Sequence, residues 1–183
     1  MKTKDLLIGG SLLTLGAAFI LKSIKAHSKK VVAVKPFKLD KYLGKWYEIA
    51  RFDYRFENNL DNTTAEYSLN DDGSVKVVNR GYNYKKDEYE EATGKAVFVE
   101  AEDEAKLKVS FWGPFYSAYN VIAIDPKYKY AMVTGDDLKH LWILSRKTSI
   151  PEDIKLSFLQ QVLALGYDVS QLVWVEHNGK SKK

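Results

Sequence analysis

The chain has 183 residues, 45% of them hydrophobic and 13% aromatic, enough to bury one core and too few for two full-sized domains. Its formal charge of +4 sits at the ends: residues 1–30 carry +5 and Lys180, Lys182 and Lys183 add +3, leaving 31–179 at −4, which argues against a nucleic-acid face and makes nucleic acid no partner. No cysteine occurs, so disulfides, thiolate metal sites and cysteine nucleophiles are excluded as well.

The amino terminus reads as a targeting or anchoring segment, separate from the fold. Lys2 and Lys4 precede an uncharged stretch from Leu6 to Leu21, which as a helix rising about 1.5 Å per residue reaches ~24 Å against a ~30 Å hydrocarbon core. Lys22, Lys25, Lys29 and Lys30 follow, with only a poor small-residue cleavage candidate around Ala26. Residues 1–30 are expected to form a hydrophobic helix serving as an uncleaved signal-anchor, with a cleaved secretory signal as the alternative. The membrane is the partner this segment implies, although more lysines flank its carboxyl side, which taken alone would leave the domain in the cytoplasm. Residues 31–38 read as a linker, 39–178 as the folded domain and 179–183 as a basic tail.

Through the body the apolar period is two. The first strand is expected over Lys45 to Phe52. Thr64 to Leu69 alternates, and Asn70-Asp71-Asp72-Gly73 turns it into a third strand from Ser74 to Tyr84. Further strands are expected over Glu90–Glu100, Glu104–Phe111, Tyr116–Asp125, Lys129–Thr134 and Lys139–Arg146. Glu104 to Phe111 alternates at every step, the mark of a strand with one buried face. Eight strands in sequence with short connections predict an all-β fold: an antiparallel up-and-down barrel, which removes sheet edges and leaves a central cavity. A two-sheet sandwich is the competing architecture.

The pattern then changes. Ser149-Ile150-Pro151-Glu152-Asp153 offers Ser149 as a cap, Pro151 in the first turn and two acids at the positive end of a helix. Ile154, Phe158, Val162 and Leu165 share one stripe with Leu159 beside it, and Gly166 stops the run. One α-helix packed outside the barrel follows, and Gln171 to Val175 is expected as a last short strand.

Four blocks in register carry a family resemblance. They are Gly44-Lys45-Trp46-Tyr47-Glu48-Ile49-Ala50-Arg51-Phe52, then Lys108 to Phe115, Tyr119 to Asp125, and Leu141-Trp142-Ile143-Leu144-Ser145-Arg146. The chain resembles the lipocalins, and within them the bacterial lipocalin and apolipoprotein D-like group. The resemblance implies a ligand-carrying barrel rather than an enzyme, placed at a membrane of the cell envelope with its domain outside the cytoplasm, or secreted if the signal is cleaved. Two departures stand out: Asp125-Pro126-Lys127-Tyr128 replaces the Thr-Asp-Tyr common before the seventh strand, and the cysteine at which bacterial members are commonly lipid-modified is missing.

Gly44, Trp46 and Arg146 are expected to close the barrel, Gly44 by turning tightly into the first strand and Arg146 by laying its guanidinium over the Trp46 indole. With Trp46 set inside, alternation places Glu48, Ala50, Ala65, Tyr67, Val77, Asn79, Phe98, Val109, Phe111, Tyr119, Val121, Val133, His140 and Trp142 on the inward, ligand-binding face. That lining suits a fatty acid or lysophospholipid, with Arg51, Arg55 or Arg80 near the mouth to meet a headgroup. Tyr54 and Phe56 fall in the loop after the first strand and are candidates for a lid, a membrane contact or plain loop packing. An inward Glu48 requires a partner such as an arginine or tyrosine hydroxyl. Catalytic residues, cofactor and metal are all expected to be absent, because His27, His140 and His177 lack metal-ligand spacing and a nucleophile motif. An isomerase or hydrolase using the cavity, an interaction module with a filled barrel, and a homodimer remain open alternatives.

Overall fold

The computed structural model describes residues 31–52 and 57–177. Eight antiparallel strands run in chain order: β1 (Gly44–Phe52), β2 (Leu60–Leu69), β3 (Val75–Asn83), β4 (Glu88–Phe98), β5 (Lys106–Trp112), β6 (Phe115–Ile124), β7 (Tyr130–Thr134) and β8 (Leu141–Ser145). Each pairs with the next, and β1 pairs with both β2 and β8, so the sheet closes into the expected barrel and not into a sandwich. No helix among the described residues is long and apolar enough to cross a membrane. The expected amino-terminal helix and the loop residues Tyr54, Arg55 and Phe56 lie outside the described residues.

Closure is complete only in the lower half. Gly44 to Tyr47 pair with Tyr67 to Thr64, after which β2 leaves β1. The freed edge of β1 is taken by the last strand, β9 (Leu172–Trp174), through Ala50, Arg51 and Phe52. Beyond it, Val175 N–H donates to the Ile49 carbonyl and Asn62 N–H to the Glu176 carbonyl, so the carboxyl-terminal segment bridges the seam between β1 and β2. His177, near the tail in sequence, stands in that seam with Nε2 2.7 Å from the Glu48 carbonyl oxygen and its ring edge-on to Tyr47.

Between β8 and β9 the chain forms helix α2 (Glu152–Leu165); a four-residue helix, α1 (Leu39–Tyr42), that periodicity does not reveal precedes β1. Helix α2 buries Phe158 and Val162 on the outer wall against Ile49, Met132, Leu141 and Ile143. Gly166 ends it at φ +96° with its N–H on the Leu163 and Val162 carbonyls, the left-handed stop that glycine permits. Its start differs from expectation. Pro151 itself occupies the cap position with no side-chain cap, while the Ser149 carbonyl instead accepts a bond from Ser145 Oγ.

The stretch 31–38, a linker by composition, is built into the closed end. Val34 bonds through its N–H to the Val121 carbonyl and through its carbonyl to Ala105 N–H, and Phe37 is buried. At the same end the Asp125 turn, whose Tyr128 ring packs on Phe37, keeps its geometry without the Thr-Asp-Tyr sequence, since the Asp125 carboxylate accepts from the N–H groups of Lys127, Lys129 and Tyr130.

Candidate functional site

The barrel floor is a sealed plug. Trp46 is fully buried and donates Nε1–H to the Tyr42 carbonyl at 2.8 Å. Arg146 lies over the indole with its guanidinium carbon 3.8 Å from the ring centroid. It also donates to the carbonyls of Lys41, Tyr42 and Leu43 through Nη2, of Lys45 through Nη1 and of Tyr128 through Nε. Burial lowers the Arg146 pKa from its ordinary value, while nearby Tyr42 and Tyr67 pull it the other way. Gly44, at φ +89°, turns the backbone against this group; a Cβ there would stand 3.5 Å from Arg146 Nη1.

Directly above, the Tyr119 hydroxyl lies 2.6 Å from that of Tyr42 and 2.7 Å from that of Tyr67. Burial pushes all three hydroxyls up, Tyr67 to about 12. Around them Val77, Ala96, Leu107 and Phe37 leave an enclosed void of about 10 Å³, no more than a single water could use. Phe98 joins this plug edge-on to Phe37 at 6.3 Å, and Val121 is drawn into it beside Val34. Of the predicted lining, Tyr67, Val77, Phe98, Tyr119 and Val121 therefore shape the bottom of the barrel.

The cavity wall rises from there. Ala65, Val109, Phe111, Val133 and Trp142 belong to the same interior cluster, and Val109, Phe111 and Trp142 are only half-buried although they point into a closed barrel. Half-exposed apolar side chains on an inward face mark space above the plug. Gly94 makes room for one of them, because a Cβ there would stand 2.7 Å from the Phe111 ring. Asn79 faces inward opposite Ala65, and its Oδ1 is buried with no hydrogen-bond partner among the described residues.

The charged part of the interior departs from strict alternation. A bulge between Glu48 and Ala50 shifts the pairing of β1 with β8, and the parity reverses. Ala50 is consequently not a lining residue: it is fully buried on the outer side, in the cluster beneath helix α2 with Ile49 and Phe158. Arg51 turns inward in its place, 2% exposed, with Nη1 2.7 Å from Glu48 Oε1 and Nη2 donating to the Glu57 and Leu60 carbonyls. Arg51 is thus the partner that an inward Glu48 requires, held inside the barrel and not at its rim. Arg80 is also misplaced by the mouth expectation, since it lies exposed on the outer face over the Tyr89 ring at 4.6 Å.

At the rim, the Glu57 carboxylate accepts from Trp142 Nε1–H at 3.1 Å. The His140 ring stacks on Trp142 at 6.0 Å, and its Nδ1 is 2.7 Å from Asp137 Oδ1. Burial disfavours the Asp137 carboxylate, but the bonds from His140 and the Lys139 N–H outweigh it and hold its pKa below the usual range. Neither Arg51 as an interior residue nor Glu57 as the rim partner of Trp142 was recoverable from periodicity; the bulge turns Arg51 in. No group of three or more histidine, aspartate or glutamate side chains able to hold a metal occurs among the described residues.

Comparison with known proteins agrees with this architecture. Residues 37–177 match the family model described as a lipocalin-like domain. Outer membrane lipoprotein Blc of Escherichia coli K12 is 46% identical over 165 residues, covering 89% of this chain and 93% of its own. Temperature-induced lipocalin-1 of Arabidopsis thaliana is 35% identical, covering 80% and 82%. Among solved structures, insecticyanin of the tobacco hornworm Manduca sexta superposes with a TM-score of 0.68 at 22% identity, over 85% of this chain and 89% of that one, which speaks to the fold alone. Relatives named as outer membrane lipoproteins, at 44 to 46% identity, place the chain with the membrane of the cell envelope. A closed eight-stranded barrel, the Trp46–Arg146 plug and a family match over 37–177 make this chain a member of the lipocalin family.

Proposed function

We propose that the protein carries one small amphipathic lipid, a fatty acid or lysophospholipid, in the space above the tyrosine plug, and releases it through the open end at a cell-envelope membrane. The observation that carries this reading is the half-exposure of Val109, Phe111 and Trp142 on the inward face of a closed barrel. Apolar side chains facing an internal space gain by taking up an acyl chain, at about 0.8 kcal/mol per methylene buried. A tail of about sixteen methylenes gains about 13 kcal/mol, which leaves about 8 kcal/mol, micromolar binding, after an association cost of about 5 kcal/mol. The acyl chain lies along Val109, Phe111, Val133 and Trp142. The headgroup stays level with Glu57, His140 and the mouth.

Lipocalins are in general binding proteins, and the charged interior groups fit a scaffold role: Glu48 is matched by Arg51, and His140 by Asp137. The test is titration of the purified protein with a fluorescent fatty acid, reading Trp142 emission with Trp142→Phe as control. Saturable quenching that oleate or a lysophospholipid displaces is expected. Failure of every acyl ligand to compete overturns the proposal, and turnover of the ligand abolished by Glu48→Gln or His140→Ala with affinity retained would make the cavity an active site instead.

A further inference from the structure

The hairpin between β5 and β6 ends in Trp112-Gly113-Pro114-Phe115, with Trp112 paired to Phe115. Trp112 is 75% exposed and Phe115 79% exposed, with Tyr116 beside them at 43%. A Cβ built on Gly113 meets nothing within 4 Å, so the tip stands clear of the body. Strand β5 begins at the closed end, where Lys106 follows the Ala105–Val34 contact, and the tip therefore projects from the open end, on the wall that carries Val109 and Phe111. Neither the plug nor the cavity uses these side chains.

We infer that this tip is a bilayer-docking element that inserts Trp112 and Phe115 into the lipid interface and seats the barrel mouth-down on the membrane. Three observations favour a lipid surface over a protein partner or a second copy. Among the described residues the exposed apolar surface of this hairpin is confined to Trp112, Phe115 and Tyr116, short of the roughly 800 Å² per partner that a stable protein interface buries. Indole and phenol rings are the side chains that settle at the headgroup level of a bilayer. Residues 112–115 carry no charge, and Lys108 lies over the Tyr116 ring with Nζ 5.1 Å from its centroid, the arrangement of an aromatic wedge with a basic group behind it. Docking is accordingly driven by apolar burial and depends little on anionic lipid or salt.

The consequence for loading rests on the carrier reading above: a lipid enters the cavity from the bilayer beside Trp112 without crossing water. The full chain is reconstituted into phosphatidylcholine vesicles containing lipids brominated at a shallow acyl position, and Trp112 emission is isolated as the difference between the wild type and Trp112→Phe. Strong quenching by the brominated lipid, a blue-shifted difference spectrum and shielding from aqueous iodide are expected. Equal iodide quenching with and without the bilayer overturns docking, as does a Trp112 signal that changes only with protein concentration, which would assign the tip to a second copy. The variant Trp112→Ser/Phe115→Ser, whose side chains contribute nothing to the core, is expected to slow transfer of a fluorescent fatty acid from vesicles at least about tenfold while its affinity for the same ligand presented in water is unchanged. Unchanged transfer overturns mouth-down loading. Absence of ligand binding in both proteins overturns the carrier reading alone, because the bromine quenching reports docking without any ligand.

Discussion

Replacing Arg146 by lysine tests whether the floor of the barrel is held by one guanidinium. In the native protein Arg146 serves five carbonyls, those of Lys41, Tyr42, Leu43, Lys45 and Tyr128, while covering Trp46 at 3.8 Å. An ammonium has at most three donors and no planar face to lay on an indole. The lost cation–π contact is worth about 1 kcal/mol. At least two carbonyls lose a charged donor, which costs about 1 kcal/mol each once water at this half-buried site takes over part of the bonding. The sum is about 3 kcal/mol, or about 6 to 12 °C in Tm for a chain of this size. Urea unfolding followed by tryptophan emission should show the midpoint falling with an unchanged slope. A loss below about 1 kcal/mol would refute the reasoning, because it would mean that the five bonds are not what fixes Lys41 to Lys45 under the barrel.

The tyrosine plug predicts alkaline lability. Burial holds the Tyr67 hydroxyl at about 12 and those of Tyr42 and Tyr119 well above their ordinary value. The unfolded chain ionises first, so this stability is complete below about pH 10 and falls by about 1.4 kcal/mol per pH unit per tyrosine as pH rises from there. Urea midpoints between pH 8 and 11.5 should drop steeply in the wild type and less so in Tyr119→Phe; identical slopes would show that the buried hydroxyls are not the titrating groups. A double-mutant cycle on the interior ion pair gives the remaining expectation. Glu48→Leu alone should cost about 3 to 5 kcal/mol, since it leaves Arg51 charged and buried. Combined with Arg51→Met, the loss should be smaller than the sum of the single changes by about 2 kcal/mol. Strict additivity would mean that the 2.7 Å contact contributes no coupling.

Much of the molecule was legible along the chain because a barrel with one filled interior imposes a period of two. The strand positions, the helix ending at Gly166 and the Trp46–Arg146 closure follow from alternation, from a glycine with positive φ and from the shapes of indole and guanidinium. The need of Glu48 for a cationic partner was legible too, since an inward carboxylate demands one. The identity of that partner was not. Arg51 is three residues on and outward by counting, and only the bulge at Ala50 turns it in. Linker composition likewise hid Val34, which bonds to Ala105 and Val121, and Phe37, which packs on Phe98 and Tyr128, because these partners stand far along the chain.

Sequence by itself determined the all-β class, the strand order, the outer helix and most of the inward face, because these depend on local periodicity and on short connections. Tertiary structure alone decided the height at which each inward residue stands. Tyr67, Val77, Phe98, Tyr119 and Val121 fall to a sealed floor, while Val109, Phe111, Val133 and Trp142 are left around the open space above it. It also decided that β9 and His177 bridge the seam where β2 leaves β1. Alternation reports only the side of the sheet a residue faces; its depth depends on register, on bulges and on the distant chain that caps one end.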